Sequence, residues 1–380
     1  MEILRAAIER GASDVHIKAG DVIRARVHGG LIPLTEQKLN PDQVRTLAAK
    51  LMPHEEDRQR IDQITDYDCS WGAPGLGRFR VNILRQRGSL MVVLRIIPIE
   101  IPTVEDLNLP PVLNSVAEAR RGLILVTGVT GSGKSSTMAA MVDHINQTRD
   151  RHIVTLENPI EFLHRDNRSS ITQRDVGTDT PSFQVGLRAA LRQDPDVILI
   201  GEMRDSDTID TALKAAETGH LVISTAHTRD AVSTVSRLVA MFDSSEQEMV
   251  RIRLADTIQS VVSQRLLPRQ DQGGRLPACE VLIGTSTIRD CVRDPDRLDE
   301  VPELLEEGRE HYGTQSFDQH LAELVESGQV SFEVAKMAAR SPGDFELRMK
   351  TLSDDGSSAG SGITEGSGIS PMDFGHHGDR

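Results

Sequence analysis

Residues 128–137 read GVTGSGKSST. Gly128, Gly133, Lys134 and Ser135 fall at the spacing GxxxxGK[ST], after the apolar run GLILVT and before the helical pattern KSSTMAAMVDHINQ. That strand–loop–helix context is what a phosphate-cradling loop requires. Glycines let the backbone curl so that successive N–H groups point inward, and the helix N-terminus adds partial positive charge. Lys134 is then placed to reach β and γ phosphates, and Ser135 to coordinate Mg²⁺. Thr130, Gly131, Ser132 and Ser136 complete the loop. The chemistry implied is nucleotide binding.

Hydrolysis needs carboxylates beside the phosphates. DPDVILIGEMRD at 194–205 is an apolar strand that exits at Gly201–Glu202. In a parallel sheet the carboxyl ends of the strands face the ligand crevice, so Glu202 can contact Mg²⁺, in part through water. TLENPIEF at 155–162 is a second strand exit, with Glu157 and Glu161. A carboxylate there can polarise an attacking water. The same residues also make an ordinary Asn–Pro turn with solvated glutamates, and spacing alone leaves both readings open. His220 and His227 flank the strand LVISTA. They are either structural histidines or sensors of the terminal phosphate.

The elements that must position these groups are legible in the pattern. Residues 1–98 predict a small α+β domain: a helix in EILRAAIERG, then strands in DVHIKAG, VIRARVHG, GRFRVNILRQ and MVVLRIIP. Residues 99–112, with Pro102, Pro110 and Pro111, predict a linker. From 113 to 350 strands alternate with helices, which implies a mainly parallel sheet covered by helices. The spacing after residue 245 predicts helix throughout, from EQEMVRIRLADTIQSVVSQRLL to SFEVAKMAARS. Residues 351–380, rich in Gly and Ser and acidic, predict a disordered tail.

Composition removes several classes. The chain has 380 residues, 43 Lys and Arg against 57 Asp and Glu, and a net charge of −14. That balance argues against nucleic acid as a partner. No apolar run is long enough to span a bilayer, and MEILRAAIERGASD is no signal peptide, so the expectation is a cytoplasmic chain without direct membrane insertion. Cys69, Cys279 and Cys291 form no CxxC pair and predict neither a zinc site nor a disulfide framework.

Several stretches together resemble one family, the secretion-superfamily ATPases, and within it the retraction motors of type IV pili. They are GASDVHI at 11–17, GRFRVN at 77–82, the phosphate-loop segment 122–146, TLENPIEF at 155–162 and ITQRDVGTDTPSF at 171–183. LRQDPDVILIGEMRD at 191–205, AAETGHLVISTAHT at 215–228, VVSQRLLP at 261–268 and TQSFDQHL at 314–321 continue it. The resemblance implies a PAS-like N-terminal domain, a RecA-like ATPase domain with a helical C-terminal part, and ATP and Mg²⁺ between them. It implies a homo-hexamer at the cytoplasmic face of the inner membrane, acting on a membrane platform protein, with a paralogous retraction ATPase as a further partner.

Residue by residue, the resemblance places Lys134 and Ser135 in Walker A and makes Glu161 the catalytic glutamate. It makes Glu202 the Walker B glutamate and puts His220 and His227 in the His box. Arg80 and Arg95, on N-terminal strands, match arginines that reach the phosphates, and Glu157 joins the nucleotide-binding residues. Two departures are visible. Asn158 stands where the family usually has Asp, and STIRDCVRD from 286 matches the family's AIRNLIRE-like motif only in part, beside the acidic stretch 294–310. The partial motif, the acidic stretch and the tail point to a divergent paralogue or an accessory motor, and the neutral Asn158 to altered turnover. The readings left beside retraction are an ATPase of pilus assembly or type II secretion, which the missing four-cysteine zinc site disfavours, and an ATP-binding regulatory ring that hydrolyses poorly.

Overall fold

A computed structural model describes residues 1–98, 100–271 and 273–358, with side chains through Thr351. The N-terminal part is one antiparallel sheet. Its strands are β1 (Ala12–Lys18), β2 (Arg24–Val27), β3 (Gly30–Pro33), β4 (Asp66–Ala73), β5 (Gly77–Gln86) and β6 (Ser89–Ile96), in the order β3-β2-β1-β6-β5-β4. Two hairpins close on two-residue turns with positive φ at both positions, His28–Gly29 and Arg87–Gly88, the geometry that matches strand twist. Phe79, Val81 and Ile83 on β5 and Leu90, Val92 and Leu94 on β6 turn one face inward. That face packs on Ala7 of helix Glu2–Glu9 and on Val44, Ala48 and Leu51 of helix Pro41–Leu51. Period-two alternation therefore sends Arg78, Arg80 and Arg95 to the opposite face.

The C-terminal part is a seven-stranded sheet: β7 (Gly122–Thr127), β8 (His152–Glu157), β9 (Ser170–Asp175), β10 (Val197–Ile200), β11 (Leu221–Ala226), β12 (Ile258–Pro268) and β13 (Arg275–Ile283). The order is β13-β12-β7-β11-β10-β8-β9, with every pair parallel except β12–β13. Every residue of β7, β10 and β11 is buried, because helices cover both faces. On one face Leu123, Leu125 and Val222 meet helices Ser206–Glu217, Ala231–Ala240 and Gln247–Thr257. On the other Ile124, Val126 and Ile223 meet Met138, Met141 and Ile145 of helix Lys134–Thr148.

The structure corrects the expectation of helix throughout the residues after 245. The helix stops at Thr257 and the chain runs on as β12. Locally 246–267 has helical spacing, but β7 needs a partner on its free edge, and β-branched Val261 and Val262 suit that pleated, buried position. β12 pairs with β7 in parallel, placing Ser263 beside Thr127, and returns as β13 through a turn that includes Gly273 and Gly274 at positive φ. The segment around Val104 and Leu109 does not hang free. Both side chains are buried with Leu113 of helix Val112–Ala117 and with Val262 and Val281 on the second sheet. Helix Pro342–Ser358 reaches past residue 351, and Pro342 at its first position suits a helix start. Residues 359–380 of the expected tail lie outside the described residues. Among the described residues no helix is long and apolar enough to cross a membrane.

One buried polar contact joins the two parts. Asp175, at the carboxyl end of β9, accepts a hydrogen bond from Ser70 Oγ at 2.5 Å and from Arg78 Nη2 at 3.0 Å. Its side chain is 5% exposed. Asp175→Ala would leave a largely buried guanidinium and a buried hydroxyl without their acceptor, a loss of about 1–3 kcal/mol. The expected result is a melting temperature lower by several degrees in calorimetry. An unchanged transition would show that the contact contributes nothing in solution.

Candidate functional site

β7 ends at Thr127 and the loop begins at Gly128, whose φ is +140°. A Cβ there would lie 2.5 Å from both Gln264 O and Ser132 Oγ, so only glycine fits. Gly133, at φ +93°, opens helix Lys134–Thr148 and has no side chain to cap it. The first-turn N–H groups are left for an anion. Lys134 is buried and its Nζ donates to Gly128 O and Val129 O, both at 2.9 Å. Burial lowers its pKa, and the charges of Glu202 and Glu161 oppose that shift. Ser132 Oγ is buried without a hydrogen-bond partner. An orphaned hydroxyl beside a buried ammonium and an uncapped helix start is a donor set that fits phosphate. Thr130 and Gly131 are exposed at the rim, and Ser135 and Ser136 are half-buried in the first helical turn.

Glu202 follows β10 and is brought to the loop by its place in the sheet, since β11 alone separates β10 from β7. Its Oε2 forms an ion pair with Arg204, 2.7 Å from Nε, and lies 3.7 Å from His227 Nε2. His227 follows β11 and is partly exposed. Burial depresses its pKa, Lys134 and Arg204 add to this, and Glu202 opposes it. The imidazole is therefore neutral near pH 7. Ser135 and Glu202 offer hydroxyl and carboxylate oxygens, the ligands Mg²⁺ takes alongside phosphate.

Glu157 and Glu161 differ. Glu157 ends β8, and its carboxylate accepts from Thr155 Oγ1 at 2.7 Å, Gln173 Nε2 at 3.1 Å and the Glu161 N–H at 3.4 Å. Burial pushes this carboxyl up. It shapes the turn 158–161, and Glu161 is presented exposed from that turn. The charge of Glu161 is felt at Lys134.

Not every candidate converges. His220 stands before β11 and His227 after it. At about 3.3 Å per strand residue they are roughly 20 Å apart. His220 therefore sits at the amino edge of the sheet, where its Nδ1 lies 3.0 Å from Ala215 O. Its Cα position excludes it from the phosphate loop of this chain. Arg80 and Arg95 face each other across β5 and β6, and Ser70 and Asp14 flank them in the same row. Ser70 and Arg78 grip the carboxyl end of β9, so this arginine face is turned toward the edge of the second sheet that carries the loop. Arg95 pairs with Asp14 at 2.9 Å. Arg80 is exposed, with no ion pair among the described residues.

Three features escaped motif reading. Asp175 joins the domains. Gln264 Nε2 donates to Thr137 Oγ1 at 2.8 Å behind the loop helix. Thr127, Ser263 and Glu280 form a buried polar row. The signal for the last two was polar residues set within apolar strand runs, such as SVVSQ at 260–264.

Known proteins are similar to this chain in sequence and fold. The chain is 42% identical to the type IV pilus retraction ATPase PilT of Pseudomonas aeruginosa, covering 90% of this chain and 99% of that protein. It is 37% identical to the type IV pilus ATPase PilU of the same organism, covering 96% and 95%. The crystal structure of the pilus retraction motor PilT with bound ADP superposes with a TM-score of 0.82 at 44% identity, over 91% of this chain and 98% of that one. Residues 1–341 match the family described as type II/IV secretion system protein. With residues 1–341 matched and relatives 42% and 37% identical along nearly their whole length, the chain belongs to the type II/IV secretion system protein family.

Proposed function

We propose that this chain is the ATP-hydrolysing motor of type IV pilus retraction, and so of twitching motility, working as a homo-hexamer. The observation that carries the reading is the likeness to PilT along almost the whole length of both chains. In this reading residues 1–98 and 113–350 are the PAS-like and RecA-like units, and nucleotide lies between them. The Gly128–Ser136 loop and Lys134 hold the phosphates. Ser135 and Glu202 hold Mg²⁺, which supplies positive charge to the β and γ phosphates when bound. Glu161 orients the attacking water and takes its proton. His227, neutral and within reach of Glu202, reports the terminal phosphate to its own loop. Closure of the N-terminal sheet brings Arg80 and Arg95 to the charge that develops on the phosphates. Arg80 has no ion pair to break among the described residues, whereas Arg95 must leave Asp14. The ring works at the cytoplasmic face of the inner membrane against a platform protein.

A second reading, an accessory motor beside a paralogue, is favoured by the partial motif STIRDCVRD from 286 and by the match to PilU over 96% of the chain. Deleting the gene in its host separates the two. The proposal expects surface pili to accumulate and twitching to stop. A partial defect, worsened by loss of a paralogue, would assign the accessory role, and unchanged twitching would overturn both.

A further inference from the structure

Glu280 lies on β13 and is 9% exposed. It is outside every nucleotide-binding stretch, yet its hydrogen bonds lead toward two of them. Its Oε1 accepts the Ala231 N–H at 2.7 Å and Ser263 Oγ at 3.3 Å. Ser263 Oγ in turn accepts from Thr127 Oγ1 at 3.0 Å. Thr127 and Ser263 are fully buried, and both are partners in strand register, Thr127 with Ser263 and Ser263 with Glu280. Thr127 is the last residue before Gly128, and its neighbour on the other side is Ala226, the last before His227. Ala231 opens helix Ala231–Ala240, four residues after His227. Its N–H has no partner inside the helix. A carboxylate at that point satisfies the donor and suits the helix dipole. The loop between is pinned by Thr228 Oγ1 against Thr234 Oγ1 at 2.6 Å.

The hydrogen bonds therefore close a circuit. It runs from the end of β7 through Ser263 and Glu280 to the start of the helix after His227, and returns along β11. We propose that Glu280 is a positioning residue for ATP hydrolysis, locking the loop that carries His227 to the strand that carries the phosphate loop. The proposal rests on the hydrolytic reading above. Its physical content is that Glu202 and His227 act on a phosphate held by the other loop, and a misplacement of about 1 Å there costs about 100-fold in rate. Glu280 touches neither nucleotide nor the attacking water; it acts through the two loops. Burial pushes its carboxyl up to about 7, so a neutral side chain is compatible with the site, and glutamine keeps the accepting oxygen.

The test compares wild type, Glu280→Gln, Glu280→Ala and Ser263→Ala as purified hexamers. The readouts are steady-state phosphate release and the affinity for fluorescent ADP. Glu280→Ala should lower kcat about tenfold, with ADP affinity within about twofold of wild type. Glu280→Gln should retain at least about half of wild-type kcat. Ser263→Ala, a smaller change that keeps the protein testable if Glu280→Ala fails to assemble, should lower kcat about threefold with ADP affinity unchanged. Wild-type kcat in Ser263→Ala or Glu280→Ala overturns the proposal. So does a Glu280→Gln variant as slow as Glu280→Ala, or a fall in kcat matched by a fall in ADP affinity. A wild-type ring without turnover overturns the hydrolytic reading, and this proposal with it.

Discussion

Lys134→Ala is expected to remove nucleotide binding and turnover together. The ammonium is the buried positive charge at the start of the loop helix, and its Nζ lies within 2.9 Å of two loop carbonyls. In the bound state those donors serve phosphate oxygens, each charge-assisted hydrogen bond contributing about 1.5–3 kcal/mol. Losing two gives a fall of about 100-fold or more in affinity for a fluorescent ATP analogue. Alanine also frees Gly128 O and Val129 O from the side chain that organises them. Retention of affinity within about threefold would mean that Lys134 is not the phosphate-binding lysine.

Glu202→Gln is expected to separate binding from chemistry. The carboxylate pairs with Arg204 at 2.7 Å and stands 3.7 Å from His227. Glutamine keeps the shape but removes the charge that would hold Mg²⁺ and restrain Arg204. ATP affinity should stay within a few fold, because the loop and Lys134 are intact. Turnover should fall by about 100- to 1000-fold, the range seen when one preorganised electrostatic group is lost at a reacting centre. The half-saturating Mg²⁺ concentration should rise in the same variant. Without Glu202 the neighbouring imidazole also loses the charge that raises its pKa, so His227 stays neutral to still lower pH. Wild-type turnover with unchanged Mg²⁺ dependence would remove Glu202 from the site.

The phosphate loop and Glu202 were legible in the sequence for one reason. Each is fixed by its covalent neighbours, an apolar strand before it and a loop or helix after it. Parallel-sheet geometry then carries strand exits to one edge. The same rule separates the two histidines that the resemblance groups together: six strand residues lie between His220 and His227, and a strand is a ruler. What stayed hidden depends on partners far along the chain. β12 looks helical until β7 supplies its edge, and no local pattern announces that Thr127 and Ser263, 136 residues apart, will share a hydrogen bond. Asp175 reads as one more acidic residue after a strand. Only the N-terminal sheet, 97 and 105 residues away at Arg78 and Ser70, makes it the joint between domains. Charge on Arg80 and Arg95 was visible, but the face they occupy follows from the burial of Phe79, Val81 and Ile83 opposite them.

The measurement that bears most directly on the central claim is steady-state phosphate release by the purified ring with Mg²⁺ and ATP, wild type beside Glu161→Gln. Glu161 is exposed at the carboxyl edge of the sheet and its charge reaches Lys134, so the glutamine variant should bind ATP as wild type does. The account predicts clear wild-type turnover and a loss of about 100-fold or more in the variant, the size of a general-base contribution. An intact hexamer that binds ATP without releasing phosphate, or a Glu161→Gln ring as fast as wild type, would contradict it.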